Sequence, residues 1–355
     1  MNFGCKNFPG VGKKIDMETT ALTLLIISSS SFLVASLALY PAAMPSTTSL
    51  ENTTFAFPVF DSNDRRLYLR GNATVLNPVV QLTTALQGDN ITYVVGRAMY
   101  YQPVRLRDAA TGTTADFTTR FTFSIDSQKK TWHGDGLVFF LVPQGSEEIP
   151  RNSEGGLLGL VSNGTQRDNS STFIAVEIDT FYDVSTNYWD PQCVHLGIDL
   201  NSLNSTKTAC ADWMDDEIRN GGRVNASISY DSSTRSLVAT LQSADHTSSQ
   251  GYYARVQHEV NLAEFLPENV SIGFSATTGM LFEFHTLYSW EWISSLPVLD
   301  TSSPVSMAPT PSVDDLPNGP STAGADAGER GKKGEDRKDT KVENTDNWLL
   351  GVSRT

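Results

Sequence analysis

The sequence predicts an all-β protein, a large sandwich or barrel, and three observations predict it. Between about Thr54 and Ser295 the dominant hydrophobic period is two. The alternating segments are short and are separated by Gly, Asn, Asp and Ser, the residues that make turns. No segment there carries a convincing amphipathic helical period, and Leu262 to Leu266 amounts to one turn. Many short strands bury their apolar faces only by stacking two sheets or closing one, and a jelly roll is one way to do so.

The elements follow in chain order. Lys13 and Lys14 precede an apolar stretch from Ala21 to Tyr40, interrupted by Thr23, Ser28 to Ser31 and Ser36 and followed by Ala42 and Ala43. A basic start, an apolar middle and a small-residue end describe a secretory signal over residues 1–48, with Met17 as an alternative start. An uncleaved anchor is the competing reading, since about 20 apolar residues also span a bilayer, and it would bring membrane association. Residues 54–296 form the folded domain. In it Phe121, Phe123 and Ile125 alternate with polar residues, as do Ile174, Val176 and Ile178. The same pattern returns at Val224 to Tyr230, Leu237 to Leu241 and Val270 to Phe274. Leu137 to Val142 is a continuous apolar run, the signature of a strand covered on both faces. Residues 301–355 read as a Ser/Pro-rich linker and a charged, disordered tail.

Composition narrows the function. The 355 residues hold 26 Lys and Arg against 40 Asp and Glu, a net charge of −14, which argues against nucleic acid as a partner. Three cysteines exclude a disulfide-dense scaffold and a four-cysteine zinc site. Sequons at Asn52, Asn72, Asn90, Asn163, Asn169, Asn204, Asn225 and Asn269 all follow the apolar stretch, as acceptors in a secreted, extracellular chain should. Cys193 and Cys210 bracket a strand and a turn. If the chain folds back there they face each other, and an oxidising compartment would join them; two unpaired thiols are the alternative.

The densest chemistry runs from Glu177 to His195. On a strand, Glu177 and Asp179 share a face, and Asp183, Asp190 and His195 follow closely enough to fold back over it. Carboxylates with a backbone carbonyl suit Ca²⁺, and an imidazole with a shared carboxylate suits Mn²⁺ or another transition ion. A solvated acidic turn is the plainer reading. A glycoside hydrolase is a further alternative, because Glu177-Ile178-Asp179 begins a paired-carboxylate strand pattern, but no second Glu stands at Phe181 or Tyr182. Neither a phosphate-binding Gly-rich loop nor a zinc-protease motif occurs, and the reading is non-enzymatic.

The ordered set Phe55-Ala56-Phe57, Gly96-Arg97-Ala98-Met99-Tyr100, Gly134 to Leu141, Gly155 to Leu160, His195 to Ser202, Gly273 to Gly279 and Ser289-Trp290 resembles the legume lectins, the L-type lectin domain. That domain also forms the extracellular part of plant lectin receptor kinases. The resemblance spans almost the whole folded region. It implies a concanavalin-like jelly-roll β-sandwich that binds glycans or glycoproteins with Ca²⁺ and Mn²⁺ as cofactors. It implies Glu177, Asp179, Asp190 and His195 as transition-metal ligands, and Asp179, the Phe181 carbonyl, Asp183 and Asp190 as calcium ligands. It implies Asp135 as acceptor for two sugar hydroxyls after a cis peptide, Gly156 as a backbone donor and Phe181 as a stacking ring. Two positions depart from the family. Asp183 stands where relatives carry Asn, so Asn187 would supply the missing amide donor. Met280-Leu281 follows Gly279 where relatives offer a polar side chain, leaving backbone N–H groups to serve. The departures keep a second reading open: a receptor-kinase-like extracellular interaction module, truncated before any kinase, whose sugar site has decayed. A homodimer through a sheet edge or the back face is a further expectation.

Overall fold

In a computed structural model, which describes residues 48–84, 91–163, 171–182, 190–246 and 251–299, the period-two segments become eighteen strands. They are β1 Thr48–Phe57, β2 Leu67–Gly71, β3 Thr74–Leu76, β4 Val79–Gln81, β5 Val95–Tyr100, β6 Val104–Arg105, β7 Arg107–Asp108, β8 Thr113–Thr114 and β9 Asp116–Asp126. There follow β10 Gly136–Pro143, β11 Ile174–Asp179, β12 His195–Leu200, β13 Lys207–Cys210, β14 Arg223–Asp231, β15 Ser236–Ser243, β16 Tyr253–Glu259, β17 Asn269–Thr277 and β18 Phe284–Leu299. One sheet runs β16-β15-β14-β9-β18-β4-β3, with β1 also on β18; the other runs β13-β12-β11-β10-β17-β5-β2, with β6 on β17. We call them the back and front sheets. The long strands pair antiparallel, and non-sequential neighbours such as β9 beside β14 and β18 show the chain crossing between layers. The result is a two-sheet jelly-roll sandwich.

The alternating residues meet between the sheets. Phe121 of β9 packs edge-on against Phe274 of β17 at 4.8 Å, Phe274 against Trp290 of β18 at 4.9 Å, and Phe117 stacks on Trp292 at 4.7 Å. A second apolar cluster covers the opposite face of the front sheet, where Val138, Phe140 and Val142 meet Leu158, Leu160 and Phe173. Strand β10 is therefore buried on both faces, and its unbroken apolar run follows from that.

The structure corrects the sequence reading at one element. A short α-helix, α1, spans Met214–Asn220 and ends on Gly221, whose φ of 65° suits a glycine at a helix C-terminus. Met214 and Ile218, one turn apart, reach the core. Two apolar residues in seven cannot produce a helical period that stands out from turns. Asp215, Asp216 and Glu217 sit in its first turn and Arg219 in its last, each where the helix dipole favours it.

Strand β13 lies at the edge of the front sheet with β12 as its sheet neighbour, and Cys210 at its end is bonded to Cys193, with Cα atoms 5.7 Å apart and the two cysteines 17 positions apart in sequence. Closing that loop restricts the unfolded chain. Replacing both cysteines with alanine is expected to cost about 3 kcal/mol. A lower urea midpoint with an unchanged far-UV spectrum checks this; an unmoved midpoint would show that β13 holds without the bond.

Candidate functional site

Antiparallel register builds the site. At one end of the front sheet, Thr277, Gly136, Asp179, His195 and Cys210 lie opposite one another on five successive strands. Asp190 returns to the same place, and Asp179, Asp190 and His195 each offer a ligand atom within 4.8 Å of the others. His195 is buried and the two aspartates are half-buried. The imidazole Nδ1 lies 3.2 Å from the Cys193 carbonyl, an acceptor, which assigns the N–H to that nitrogen and leaves Nε2 for the acids.

Glu177 is buried beside this group, with Oε1 3.2 Å from His195 Nε2. The Ser205 hydroxyl lies 2.5 Å from Glu177 Oε1 and 2.7 Å from Asp199 Oδ1, although it has one proton to give. A proton held by Asp199 lets both contacts stand, and burial with the nearby Glu177 charge pushes its pKa well above the carboxylate range. Burial, with Glu177 next, does the same to Asp179. Burial works against a charged His195, but the Glu177 carboxylate outweighs it and raises the imidazole to about 9. Mutually repelling buried acids with an oriented imidazole fit a divalent cation, whose charge would replace these protons.

Asp135 stands next to this end of the sheet, after a cis Gly134-Asp135 peptide and with 8% of its surface exposed. Its N–H donates to Thr277 O at 3.2 Å and its carbonyl accepts from Thr180 N at 3.2 Å. The carboxylate accepts from the Gly279 N–H, and Oδ2 is a buried acceptor with no protein partner. Burial, then the Glu283 charge, lift its pKa to about 7 against the Gly279 hydrogen bond. Two glycines leave room there. A Cβ on Gly279 would stand 2.9 Å from Asp135 Oδ2, and one on Gly155, whose φ is 67°, would stand 3.8 Å from both carboxylate oxygens. Gly156 follows, exposed, on a 3₁₀ turn Gly155–Leu157. Phe181 is half-buried, its N–H donating to Asp179 Oδ1 at 2.8 Å, and it packs so closely on Gly134 that a Cβ there would lie 2.7 Å from its own. The flanking chain is apolar and exposed at Trp132, Tyr182 and Met280, with Leu281 half-buried.

The site thus gathers Asp179, Asp190 and His195, with Glu177 against the imidazole, and sets Asp135 among Gly155, Thr277 and Gly279. Asp183 and Asn187 lie outside the described residues, as do Asn90, Asn169 and all but the last residue of the 1–48 segment. Sequence reading missed Gly155 as a glycine that faces the carboxylate, and it missed Glu283 entirely. Glu283 is fully buried, with His133 Nδ1 2.9 Å from Oε2, and with the Thr180 hydroxyl at 2.6 Å and His285 Nε2 at 2.9 Å on Oε1. Nothing in its Met-Leu-Phe-Glu-Phe surroundings signals such a role.

A family model described as the legume lectin domain matches residues 52–306. The chain is 39% identical to a bark leucoagglutinin of Maackia amurensis over 251 residues, 70% of this chain and 84% of that one. It is 37% identical to the mannose-specific lectin CML-2 of Centrolobium microchaete over 249 residues, 69% and 96% of the two chains. A solved structure of lectin UEA-II complexed with galactose superposes with a TM-score of 0.61 at 36% identity, covering 68% of this chain and 98% of the other. The chain belongs to the legume lectin domain family, whose members bind carbohydrate and catalyse no reaction.

Proposed function

We propose that this chain is a secreted lectin that binds glycans or glycoproteins through Asp135 and needs Ca²⁺ and a transition ion, Mn²⁺ or an equivalent, to do so. One observation carries the reading: a buried carboxylate oxygen without a protein partner, in a place that two glycines keep open. A carboxylate accepts hydrogen bonds at both oxygens, so it suits two neighbouring hydroxyls of one sugar ring. Gly156 would add a backbone N–H and Phe181 a ring against the apolar face of the sugar, with Met280 and Leu281 on the rim. Glu177, Asp179, Asp190 and His195 would hold the transition ion. Asp179, the Phe181 carbonyl, Asp183 and Asp190 would hold calcium. The ions would neutralise the buried acids and fix the strand ends that carry Asp135 and Phe181.

Residues 1–48 would be the export signal, 54–296 the lectin-like domain and 301–355 linker and tail. The sequons support export. Among the described ones Asn52, Asn163, Asn204, Asn225 and Asn269 are exposed, whereas Asn72 is half-buried and donates from Nδ2 to Thr84 O at 3.0 Å. Asn225 sits mid-strand on the outer face of the back sheet, in a groove of about 360 Å³ beside Arg120, Gln242 and Tyr253. A glycan there would cover that face, which favours a sheet edge over the back face for any homodimer. The second reading, a protein-binding module, draws on the exposed Trp132 and Met280, apolar where a sugar site is usually polar.

Two outcomes test the reading. On a glycan array, Asp135→Ala should abolish the parent signal, and EDTA should do the same to the parent; retention of signal in both would overturn the Asp135 and metal assignments, and a parent chain with no signal at all would favour protein binding. The second outcome concerns pH. Asp135, raised from 3.8 to about 7, stabilises the folded state fully below about pH 4, and that contribution is lost as pH climbs toward 7. His195, raised from 6.5 to about 9, contributes fully below 6.5 and loses its effect through 9. In chelator, the melting temperature should therefore fall from pH 5 to pH 9, and Ca²⁺ with Mn²⁺ should restore it most at the alkaline end. A chelated domain that gains stability over that range would overturn these assignments.

A further inference from the structure

Glu283 is joined to three of the backbone segments that carry parts of the proposed sugar site. His133, on its Oε2, lies two residues before Asp135, across Gly134. Thr180, on its Oε1, lies between Asp179 and Phe181, and the Thr180 N–H also donates to the Asp135 carbonyl. Glu283 itself closes the loop from Gly279 that carries Met280 and Leu281. Behind it, His285 Nε2 shares Oε1, and the Thr83 hydroxyl lies 2.9 Å from His285 Nδ1 and 3.1 Å from the Glu283 carbonyl, which anchors the residue to the strand ends of the back sheet. An ionised carboxylate only accepts, so the bonds fix His133 as the Nδ1–H tautomer and His285 as a donor at Nε2. The two imidazoles approach different oxygens. Among the described residues the grouping with three convergent ligand atoms is Asp179, Asp190 and His195, so the Glu283 cluster is not a second cation site.

We propose that Glu283 is the positioning residue of the sugar site: through His133 it sets Asp135, through Thr180 it sets Phe181, and through its own backbone it sets the Met280-Leu281 loop. The inference rests on the reading of Asp135 as the sugar acceptor. A fully buried acid can do this because its three donors leave it no alternative arrangement; against burial, the hydrogen bonds and charge of His133 and His285 hold its pKa at about 2, so the hub stays charged throughout the working range. Substituents on a sugar ring are read at hydrogen-bond tolerance, and a shift of about 1 Å between acceptor and stacking ring is enough to lose most of the interaction.

The test uses the full chain loaded with Ca²⁺ and Mn²⁺. Its probes are a glycan array and, for titration, methyl α-mannoside, methyl α-galactoside and the strongest array hit. Asp135→Asn is the control for the underlying reading and should lose binding. Glu283→Gln keeps the shape and one acceptor oxygen. It should weaken glycan binding about tenfold, Glu283→Ala about a hundredfold, with Mn²⁺ affinity and near-UV spectrum unchanged. Adding His133→Ala to Glu283→Gln should cost less than twofold more, because both act on the same path. Should Glu283→Ala fail to fold, Glu283→Gln and His133→Ala carry the comparison. Loss in Asp135→Asn with affinity within twofold in Glu283→Gln, or additive losses in the double variant, would overturn the positioning role alone. Retained binding in Asp135→Asn would overturn the site reading as well.

Discussion

The functional end of this molecule depends on how buried negative charge is compensated. Asp179, Asp135 and Glu283 sit at or near one end of the front sheet and Asp199 lies further along β12, opposite Ala175; burial penalises the charged form of each. The chain solves the problem in two ways. Around Glu283 it supplies its own donors, two imidazoles and a hydroxyl, and the carboxyl stays ionised. Around Asp179 it supplies one imidazole for several acids, and protons make up the difference by raised pKa values. The first arrangement is complete within the fold. The second is the one that a divalent cation would stabilise, by taking the place of protons that cost nothing at low pH and become costly near neutrality.

Strand register makes both arrangements possible. The row Thr277, Gly136, Asp179, His195, Cys210 is a line of directly opposed residues across five strands. Side chains alternate faces along a strand, so a slip of one residue in β11 would put Ile178 in place of Asp179 and expose the core face of the whole strand. Burial of Val176 and Ile178 between the sheets therefore guards the placement of Glu177 and Asp179 on the opposite face. The hydrophobic core and the acidic site are the two faces of one register, and neither can shift without the other.

That coupling explains what could be read from the sequence. Alternation in β9, β11, β14 and β17 is local and strong, so the strands, the two-sheet class and the shared face of Glu177 and Asp179 were legible. Helix α1 was not, because its character comes from two contacts, Met214 and Ile218, made only once the sheets exist. Glu283 was hidden for a related reason. Its partners lie 150 residues away at His133 and 103 away at Thr180, and no local pattern encodes a meeting of that kind. Gly155 is intermediate: a Gly-Gly pair is visible, but which of the two faces Asp135 is decided by the path of the 3₁₀ turn.

The same division bears on sugar identity. One relative is named mannose-specific and another was solved with galactose, yet this chain is similar to both at 36 to 37% identity. The scaffold alone therefore does not choose the hexose. What the scaffold does provide is a fixed acceptor, since Asp135 is held by Thr277, Thr180 and Gly279, groups that belong to strand ends or adjoin them. Mannose and galactose differ in the direction of two ring hydroxyls, so they are separated by groups just beyond that fixed point. Here those groups include the loop after Gly279. It presents Met280 almost fully exposed and Leu281 half-buried, with no side-chain hydrogen bonding at either position. Such a loop discriminates by shape and by its backbone N–H groups, a weaker filter than a paired amide or carboxylate. With Asp135 as the proposed acceptor, selectivity in this chain would then come from the second ring of a glycan, or from an apolar substituent lying against Trp132 and Met280, more than from the monosaccharide itself.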